Sequence, residues 1–298
     1  MLRRQKAYRR GFRKMKFPDI VHGNVLYNHL FFGVYLKKKF KIPFVVSEHW
    51  TSLQRENLPQ TPFIVKKVAK IIGDFADEIM PVSEDLKISL QSLGISTPMT
   101  VIPNVVDSQL FKPKENSTST DFRFIHVSSL IPRKQPEKII QAVISLKEKG
   151  YRVSLEIGGS EICKNLQKLI HAKGAQKYIS TFGEIPSHEV AQKMQKADAF
   201  LLFSIKENLP CVLVEALSAG IPFISTDVGG IRELKGKSNG ILIRNNEQEL
   251  QDAMQQMIEK KVVISGAEEL RQFAVNHFSV NVVAKMFENV YKKYVKQS

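Results

Sequence analysis

The sequence has few cysteines and none of the common metal-binding patterns. Its 298 residues include two cysteines, Cys163 and Cys211. They form no Cys-x-x-Cys pair, which argues against a disulfide framework or a zinc site and favours two free, buried thiols. No Asp-x-Asp occurs, and no group of acidic residues has the spacing of octahedral oxygen ligands. We therefore expect no metal ion and no bound cofactor.

Long hydrophobic runs are also missing. The longest apolar stretches, at 199–205 and 210–225, are too short or too interrupted to supply the roughly 20 apolar residues of a membrane-spanning helix. The basic N-terminus, MLRRQKAYRRGFRKMKF, lacks the apolar core that follows the basic start of a signal peptide. We therefore expect a cytoplasmic protein.

Acidic residues are scarce near the N-terminus. Residues 1–41 contain twelve Lys and Arg side chains and one acid, Asp19, which gives this segment +11 of the chain's net charge of +15. Tyr8, Phe12 and Phe17 lie among these charges. Such a segment could rest on the anionic inner face of a membrane, grip a phosphorylated acceptor, or bind nucleic acid. The simpler alternative is a solvated helix face.

Composition and length favour two α/β domains. Apolar residues make up 43% and charged residues 24% of the chain, which is typical of globular proteins, and 298 residues suit two domains of ordinary size. After residue 120, short β-branched runs alternate with amphipathic segments, a pattern typical of a parallel sheet covered by helices. The predicted strands there are 122–127, 153–158, 179–183, 199–204, 222–226 and 240–244.

Four further apolar runs indicate that the first 110 residues are α/β as well; they are 19–23, 44–49, 78–83 and 99–104. A polar, proline-containing stretch, KPKENSTSTD, follows them and is typical of a linker. We therefore expect an N-terminal domain over 1–111, a linker over 112–121 and a C-terminal domain over 122–275. A last amphipathic helix within 276–298 is expected to pack back on the N-terminal domain.

Residues 199–220 predict a strand, a short loop and a helix. The helix should begin near Pro210, because proline suits the first turn, and should end at Gly220, because glycine suits the left-handed residue after a helix. The loop 206–209 would then lie beyond the strand's carboxyl end, where open parallel sheets bind ligands. The free N–H groups and the positive end of the helix dipole suit a phosphate at this place.

Two carboxylates lie in or near this loop. Glu207 is in the loop, and Glu215, eight residues later, lies more than a turn inside the helix. One carboxylate could accept both hydrogen bonds of a ribose diol, while the other meets sugar hydroxyls or the charge that develops at an anomeric carbon. From two acids alone, a solvent-facing helical residue and an ordinary loop acid are the simpler interpretation.

The segment 206–234, KENLPCVLVEALSAGIPFISTDVGGIREL, resembles a known family motif. It is similar to the E-x7-E donor motif of the group 1 retaining glycosyltransferases, the family 4 type with the GT-B architecture. The likeness continues through VIPNVVDSQLFKP, VSSLIPRKQPEKIIQA, LEIGGS and FGEIPSHEVAQKMQKADAFL, and covers the chain from about residue 18 onward. It implies two Rossmann-like domains that face a cleft. The family's first strand, glycine-rich loop and next two βα units have no counterpart here, so we expect a truncated N-terminal domain.

The resemblance implies roles for residues of the C-terminal domain. Glu215 would bind the nucleotide ribose, and Glu207 would lie beside the donor sugar. Lys134 matches a lysine that neutralises the diphosphate leaving group, but Ser129 stands where the family has an arginine, and Arg133 is the nearest replacement. The implied donor-binding residues besides Glu215 are Ser129, Arg133, Asn208, Leu209, Pro210, Phe182 and Gly183.

Two histidines near the N-terminus also match the family. DIVHGN and VVSEHW resemble strand ends that face the cleft, which would bring His22 and His49 towards the sugar. A histidine at a strand end can equally be structural, and Asn24 replaces a second family histidine. We therefore predict Glu207, Lys134 and His49 as catalytic residues, with His22 and Asn24 on the sugar or acceptor side.

The implied activity is sugar transfer from a nucleoside diphosphate to an acceptor hydroxyl with retention, in the synthesis of cell-surface polysaccharide or glycolipid. The acceptor would be a saccharide or lipid-linked, and a leaving-phosphate oxygen could take its proton. One alternative is a non-catalytic nucleotide-sugar-binding remnant. The other is a polyanion or nucleic-acid binder that uses the basic N-terminal segment, but no recognisable nucleic-acid module supports it, so no nucleic-acid partner is expected.

Overall fold

The structure, a computed structural model, divides the chain into two compact units. It describes residues 2–12, 14, 16–113, 120–159 and 164–295, with side chains from residue 7 onward. Unit 1 comprises Met1–Asn104 and Val283–Ser298, and unit 2 comprises Val105–Val282.

Unit 1 contains a parallel sheet of three strands in the order β1-β2-β3. The strands are β1 Val21–Asn24, β2 Phe44–Glu48 and β3 Glu78–Pro81. The helices from the first part of the chain are α1 Leu2–Phe12, α2 Phe31–Phe40, α3 Phe63–Phe75 and α4 Glu84–Ser92. Every residue of the central strand β2 is buried, as expected for a parallel strand that is covered on both faces.

Three of the four apolar runs predicted in this region form strands, whereas the run 99–104 does not. It makes one isolated bridge, between Met99 and Ile79. Backbone bonds join Thr100 N–H to the Ile79 carbonyl and Ile102 N–H to the Pro81 carbonyl. Pro103 has no N–H to donate, and proline weakens a β-ladder for this reason, so the run adds contacts to the sheet without becoming a fourth strand.

Unit 2 contains a parallel sheet of six strands in the order β6-β5-β4-β7-β8-β9. The strands are β4 Phe122–Ser128, β5 Val153–Gly159, β6 Ile179–Phe182, β7 Ala199–Leu202, β8 Phe223–Thr226 and β9 Gly240–Ile243. All six predicted strands of this region are confirmed within two residues. Counted from β4, the order is 3-2-1-4-5-6, that of a doubly wound nucleotide-binding sheet, and it reverses between β4 and β7.

Six helices accompany this sheet in the described chain: α5 Pro136–Glu148, α6 Lys164–Ala172, α7 Ser187–Met194, α8 Cys211–Ser218, α9 Glu247–Ile258 and α10 Ala267–Phe278. Ile139, Ile140, Val143 and Leu146 lie on one face of α5 and are all buried. They join the strand side chains in one apolar core, whose burial stabilises the unit by roughly 25 cal/mol for each Å² of apolar surface removed from water.

The two units divide between Asn104 and Val105 rather than within the expected linker 112–121. Val106 N–H donates to the Phe278 carbonyl over 2.8 Å, and Ser218 Oγ donates to the Phe111 carbonyl over 2.6 Å. These bonds hold the stretch from 105 to 113 on unit 2. Residues 114–119 of the expected linker lie outside the described residues.

The last helix, α11 Val280–Tyr294, leaves unit 2 and belongs to unit 1 from Val283 onward. Val283 and Val290 pack against the buried side chains of β2 and β3. Near the end of α11, Lys293 Nζ lies 2.8 Å from Glu78 Oε1, and Tyr294 donates to Glu78 Oε2 over 3.0 Å. The C-terminal segment is therefore part of the core of unit 1.

None of the helices in the described part of the chain is both long and apolar enough to cross a membrane.

Candidate functional site

The loops that follow β4 and β7 lie side by side at the carboxyl edge of the sheet in unit 2. The two strands are neighbours, with Phe124 opposite Ala199 and Ile125 opposite Phe200. Because the strand order reverses between them, the helices that follow diverge and leave a crevice at this edge. The loop 129–135 and the loop 203–210 are thus placed where a doubly wound sheet binds its ligand.

Lys134 and Glu207 form a buried ion pair that joins these loops. Lys134 ends the short 3-10 turn Pro132–Lys134, and only 8% of Lys134 and 5% of Glu207 is exposed. Lys134 Nζ bonds directly to Glu207 Oε1. A buried charge is tolerated where an opposite charge meets it, so the structure brings together two of the three residues predicted to be catalytic.

One backbone bond and two side-chain hydrogen bonds also hold the two loops to one another. Ile205 N–H donates to the Arg133 carbonyl over 2.8 Å, and Arg133 Nη1 donates to the Lys206 carbonyl over 3.3 Å. Gln135, which sequence reasoning missed, donates from Nε2 to the Phe203 carbonyl over 3.3 Å. Arg133 is therefore adjacent to the ion pair, as expected, whereas Ser129 is exposed at the start of its loop.

The loop after β8 completes this edge. Thr226 Oγ donates to the Ser204 carbonyl over 2.6 Å and accepts from Ser204 N–H over 3.2 Å. Gly230 N–H donates to the Asn208 carbonyl over 2.9 Å. Asn208 is buried, and this bond ties its loop to the loop after β8.

Helix α8 begins directly after this loop and carries Glu215. Leu209 and Pro210 are buried, and Pro210 is the residue that precedes the first helical position. Glu215 is half-buried, and its carboxylate has no hydrogen-bond or ion-pair partner within the residues that the structure describes. Burial raises the pKa of Glu215 to about 7. A desolvated carboxylate without a partner is suited to accept hydrogen bonds from a ligand.

The expectation of two buried thiols is wrong for Cys211. It is the first residue of α8, and it is exposed. Cys163 lies outside the described residues.

Phe182 and Gly183 also lie at the carboxyl ends of the strands, but at the end of the outermost strand, β6. Phe182 ends the outer strand β6 and stands opposite Gly158 of β5. Lys193 Nζ is 4.7 Å from the centre of the Phe182 ring. The half-buried ring offers an apolar surface two strands away from the Lys134 and Glu207 pair.

The histidines predicted for the site lie in unit 1. His22 is half-buried, and its ring nitrogens are both engaged: Nδ1 lies 2.7 Å from Tyr291 Oη and Nε2 lies 2.8 Å from Ser47 Oγ. Burial lowers the pKa of His22. These contacts connect β1 to β2 and α11, which is a structural role. His49 and Asn24 are exposed, directly after β2 and at the end of β1.

Glu48, which precedes His49, is a further buried carboxylate that sequence reasoning missed. It is fully buried, and it accepts from Leu26 N–H over 2.6 Å and from Trp50 N–H over 2.7 Å. Burial raises the pKa of Glu48 to about 7, although these backbone bonds oppose the rise. The only sequence feature that marks Glu48 is the presence of an acidic residue inside the apolar run FVVSEH. Glu48 holds the loops that follow β1 and β2 in unit 1.

No group of three or more His, Cys, Asp or Glu side chains is arranged to hold a metal ion in the residues that the structure covers.

Family models match the chain in two parts. The model described as "Glycosyl transferases group 1" matches residues 107–277, and the model described as "Glycosyltransferase Family 4" matches residues 1–110. The first match alone covers more than half of the 298 residues.

Several bacterial proteins are similar in sequence. WcaL of Escherichia coli (strain K12) is 32% identical over 184 residues, which cover 57% of this chain and 45% of WcaL. The O-antigen biosynthesis glycosyltransferase WbnH of Escherichia coli is 30% identical over 206 residues, 69% of this chain and 57% of WbnH. Alpha-monoglucosyldiacylglycerol synthase of Acholeplasma laidlawii is 28% identical, with 96% of this chain and 78% of the synthase covered. The chain therefore spans about half the length of WcaL and of WbnH.

Solved structures share the fold. HepE of Anabaena, in complex with UDP and glucose, has a TM-score of 0.79 at 21% identity and covers 97% of this chain and 80% of its own. Sucrose-phosphate synthase of Thermosynechococcus elongatus has a TM-score of 0.84 at 17% identity, with 97% and 76% covered. The predicted α/β fold of the GT-B glycosyltransferases is confirmed.

Proposed function

Because this chain belongs to the group 1 family of glycosyl transferases, we propose that it transfers a sugar from a nucleoside diphosphate to an acceptor hydroxyl. The observation that carries the proposal is the buried Lys134 and Glu207 pair, at the point where the strand order reverses. The loop of Glu207 leads into the helix that carries Glu215, whose carboxylate has no partner among the described residues. The complexes of HepE with UDP and with UDP-glucose support a nucleotide sugar as the donor.

Each group at this edge has a distinct part in the proposed donor site. The Glu215 carboxylate accepts hydrogen bonds from the two ribose hydroxyls. Lys134 and Arg133 neutralise the diphosphate, together with the positive end of the helix dipole at the start of α8. The ammonium of Lys134 acts strongly because its surroundings exclude water. Glu207 orients this ammonium and lies where the donor sugar would be held. Phe182 and Gly183 border the nucleobase.

The reaction that we propose breaks the bond between the anomeric carbon and the diphosphate oxygen. The acceptor oxygen forms its bond to the same face of that carbon, so configuration is retained. The acceptor's proton passes to an oxygen of the leaving diphosphate, which removes the need for a separate base. The positive charges of Lys134 and Arg133 stabilise the leaving group, and the proposal includes no metal ion.

His49 remains our candidate for a catalytic residue in unit 1, and Asn24 for a residue of the sugar or acceptor side. Both are exposed at the carboxyl edge of the sheet in that unit. His22 is a weaker candidate, since both of its ring nitrogens already have partners.

We propose a saccharide or lipid-linked acceptor, used in the synthesis of a cell-surface polysaccharide or a glycolipid. The names of two relatives support this class, one for O-antigen biosynthesis and one for a glucosyldiacylglycerol lipid.

A basic and aromatic surface in unit 1 supports attachment of a cytoplasmic enzyme to an anionic membrane surface. The Phe12 ring of α1 lies 6.0 Å from the Phe32 ring of α2, and the Arg9 guanidinium lies 4.6 Å from the centre of the Tyr35 ring. Lysines fill the last turn of α2, at 37–39. Clustered lysines and arginines attract anionic lipids, while aromatic rings suit the interface.

Calorimetric titration with UDP, GDP and ADP tests the donor site. Wild type is expected to bind at least one of them, and Glu215→Ala and Lys134→Ala should bind it at least about tenfold more weakly. Lys149→Ala and Glu268→Ala are the matched controls, because both side chains are exposed elsewhere on unit 2; they should bind like wild type. Equal binding by all five proteins would place the donor site elsewhere.

Turnover separates an enzyme from a binding protein. Release of free nucleoside diphosphate from the matching nucleotide sugar is expected for wild type and not for Lys134→Ala. Binding without release, with any lipid or saccharide acceptor supplied, would favour the non-catalytic alternative.

Vesicle flotation tests the membrane surface. Vesicles with phosphatidylglycerol should carry the protein, and vesicles of phosphatidylcholine alone should not. The double change Lys38→Glu and Lys39→Glu should abolish flotation, whereas Lys149→Glu with Lys173→Glu, in unit 2, should not. Tighter binding to duplex DNA than to the anionic vesicles would favour the nucleic-acid alternative instead.

A further inference from the structure

His126 lies in the middle of β4 and is fully buried, yet none of the roles proposed above uses it. Its Nδ1 lies 2.7 Å from the Leu201 carbonyl in β7, and its Nε2 lies 2.8 Å from Ser128 Oγ. Ser128 Oγ also accepts from Leu130 N–H over 3.0 Å. A chain of three hydrogen bonds therefore leads from the neighbouring strand to the loop that carries Arg133 and Lys134.

The bond to Leu201 requires a proton on Nδ1 of the His126 ring, and in the uncharged form of this ring Nε2 is an acceptor for the Ser128 hydroxyl. A carbonyl oxygen only accepts, so Nδ1 must donate to Leu201. Nε2 of the neutral ring then accepts the Ser128 hydroxyl proton, which leaves a lone pair of Ser128 Oγ for Leu130 N–H. A charged ring would donate from both nitrogens and leave the Ser128 proton without this acceptor.

The surroundings of His126 favour the uncharged ring. Burial, opposed by the bond to the Leu201 carbonyl and aided by the Lys134 ammonium, lowers the pKa of His126 to about 4. The ring is thus an acceptor at Nε2 throughout the neutral range, and the hydroxyl of Ser128 keeps one orientation.

The turn that Ser128 holds is one that the chain would not adopt by itself. Leu130 has φ +53°, a left-handed conformation that is unfavourable for residues with a side chain. The backbone of Ser128 also packs closely against Gly159 of β5. A Cβ atom at position 159 would lie 1.5 Å from the Ser128 carbonyl oxygen. Ser128 is therefore fixed by β5 and by His126, and the loop leaves it in one direction.

We infer that His126 is a positioning residue for the donor site: its uncharged ring fixes the Ser128 hydroxyl, which sets the turn at Leu130 and so places Arg133 and Lys134 for a diphosphate. The nature of the ligand rests on the proposed function, whereas the positioning of the loop can be measured without any ligand.

Two measurements on the ligand-free protein test the positioning. Nitrogen-15 NMR of the histidine rings, with His126 assigned by a His126→Gln variant, should show a neutral ring protonated on Nδ1 between pH 6 and 8. In hydrogen exchange, Ser128→Ala should speed the exchange of the loop 129–135 by at least about tenfold, and Ser128→Thr, which keeps the hydroxyl, should restore it. A charged or Nε2-protonated ring, or unchanged exchange in Ser128→Ala, would overturn the inference.

Affinity for a nucleoside diphosphate gives the functional readout. With the one among UDP, GDP and ADP that binds wild type tightest, Ser128→Ala should bind about fivefold more weakly, the effect of one lost hydrogen bond, and Ser128→Thr should recover. Ser225→Ala is the matched control, since Ser225 Oγ also donates from a strand to a neighbouring carbonyl, that of Leu202, over 3.0 Å. It should lose stability without losing affinity.

The outcomes separate the two proposals. If no nucleoside diphosphate binds wild type, the proposed function fails, and NMR and exchange still decide the role of His126. If wild type binds but Ser128→Ala binds equally well, the inference about His126 fails and the donor site stands.

Discussion

The ionisation of Glu215 should control donor affinity near neutral pH. Its pKa is raised to about 7 because its carboxyl is buried and lacks a charged partner among the described residues. The ribose diol brings two hydroxyl donors, which the carboxylate accepts with both of its oxygens, whereas protonation turns one of these oxygens into a donor. Binding should therefore take place with the deprotonated group, and lowering the pH through 7 should weaken it.

The size of this effect follows from the pKa. One pH unit below it, roughly one carboxyl group in ten is ionised, and one unit above it nearly all are. Affinity for the nucleotide sugar should therefore fall about tenfold from pH 8 to pH 6, and binding at pH 6 should release close to one proton. A nucleotide sugar is preferred to a free diphosphate as the ligand, because it lacks a terminal phosphate that titrates in this range.

Calorimetry in two buffers of different ionisation enthalpy measures both the affinity and the released proton. Glu215→Gln should bind weakly at both pH values and release no proton. Glu48→Gln is a stringent control, because the pKa of Glu48 is also raised to about 7 but this carboxyl lies in unit 1; the pH dependence should persist in it. An affinity that is flat from pH 6 to 8 in wild type, or a slope that survives in Glu215→Gln, would refute the reasoning.

Three further predictions concern stability. Lys134→Met and Glu207→Gln should each lower the free energy of unfolding by roughly 3–5 kcal/mol, because each leaves a buried group unpaired, and the double variant should lose clearly less than the sum; additive losses in urea denaturation would contradict the pairing. Lys293→Met should cost roughly 1–3 kcal/mol, as it removes the charged partner of buried Glu78, and an unchanged melting temperature would refute this. Gly220→Ala should cost roughly 1–2 kcal/mol because φ is +74° there, and a neutral effect in thermal melts would show that the backbone relaxes.

Much of unit 2 could be predicted from the sequence because its strands are covered on both faces. Such strands are continuous apolar runs that end in polar residues, and the six runs were found within two residues. The same apolar pattern wrongly suggested a strand at 99–104, where Pro103 has no N–H to donate to a neighbouring strand. It could not locate the division after Asn104 either, because the bonds that tie Val106 and Phe111 to unit 2 join residues more than 100 positions apart.

The candidate site was predictable where a family motif marks it and obscure elsewhere. Lys134 and Glu207 are 73 residues apart, and only the resemblance joined them before the structure did. His22 matched the motif equally well, but its ring contacts Tyr291, which is 269 residues away, and no motif marks that contact. Glu48 and His126 carry no motif. A polar residue inside an apolar strand becomes interpretable only when its hydrogen-bond partners are known.

Hydrogen exchange with and without the bound nucleoside diphosphate tests most directly whether the donor site lies between the loops after β4 and β7. We expect protection of 129–135 and of 203–215 in wild type, and none in Glu215→Ala at the same ligand concentration. Protection confined to other segments, or equal protection in the variant, would contradict the account.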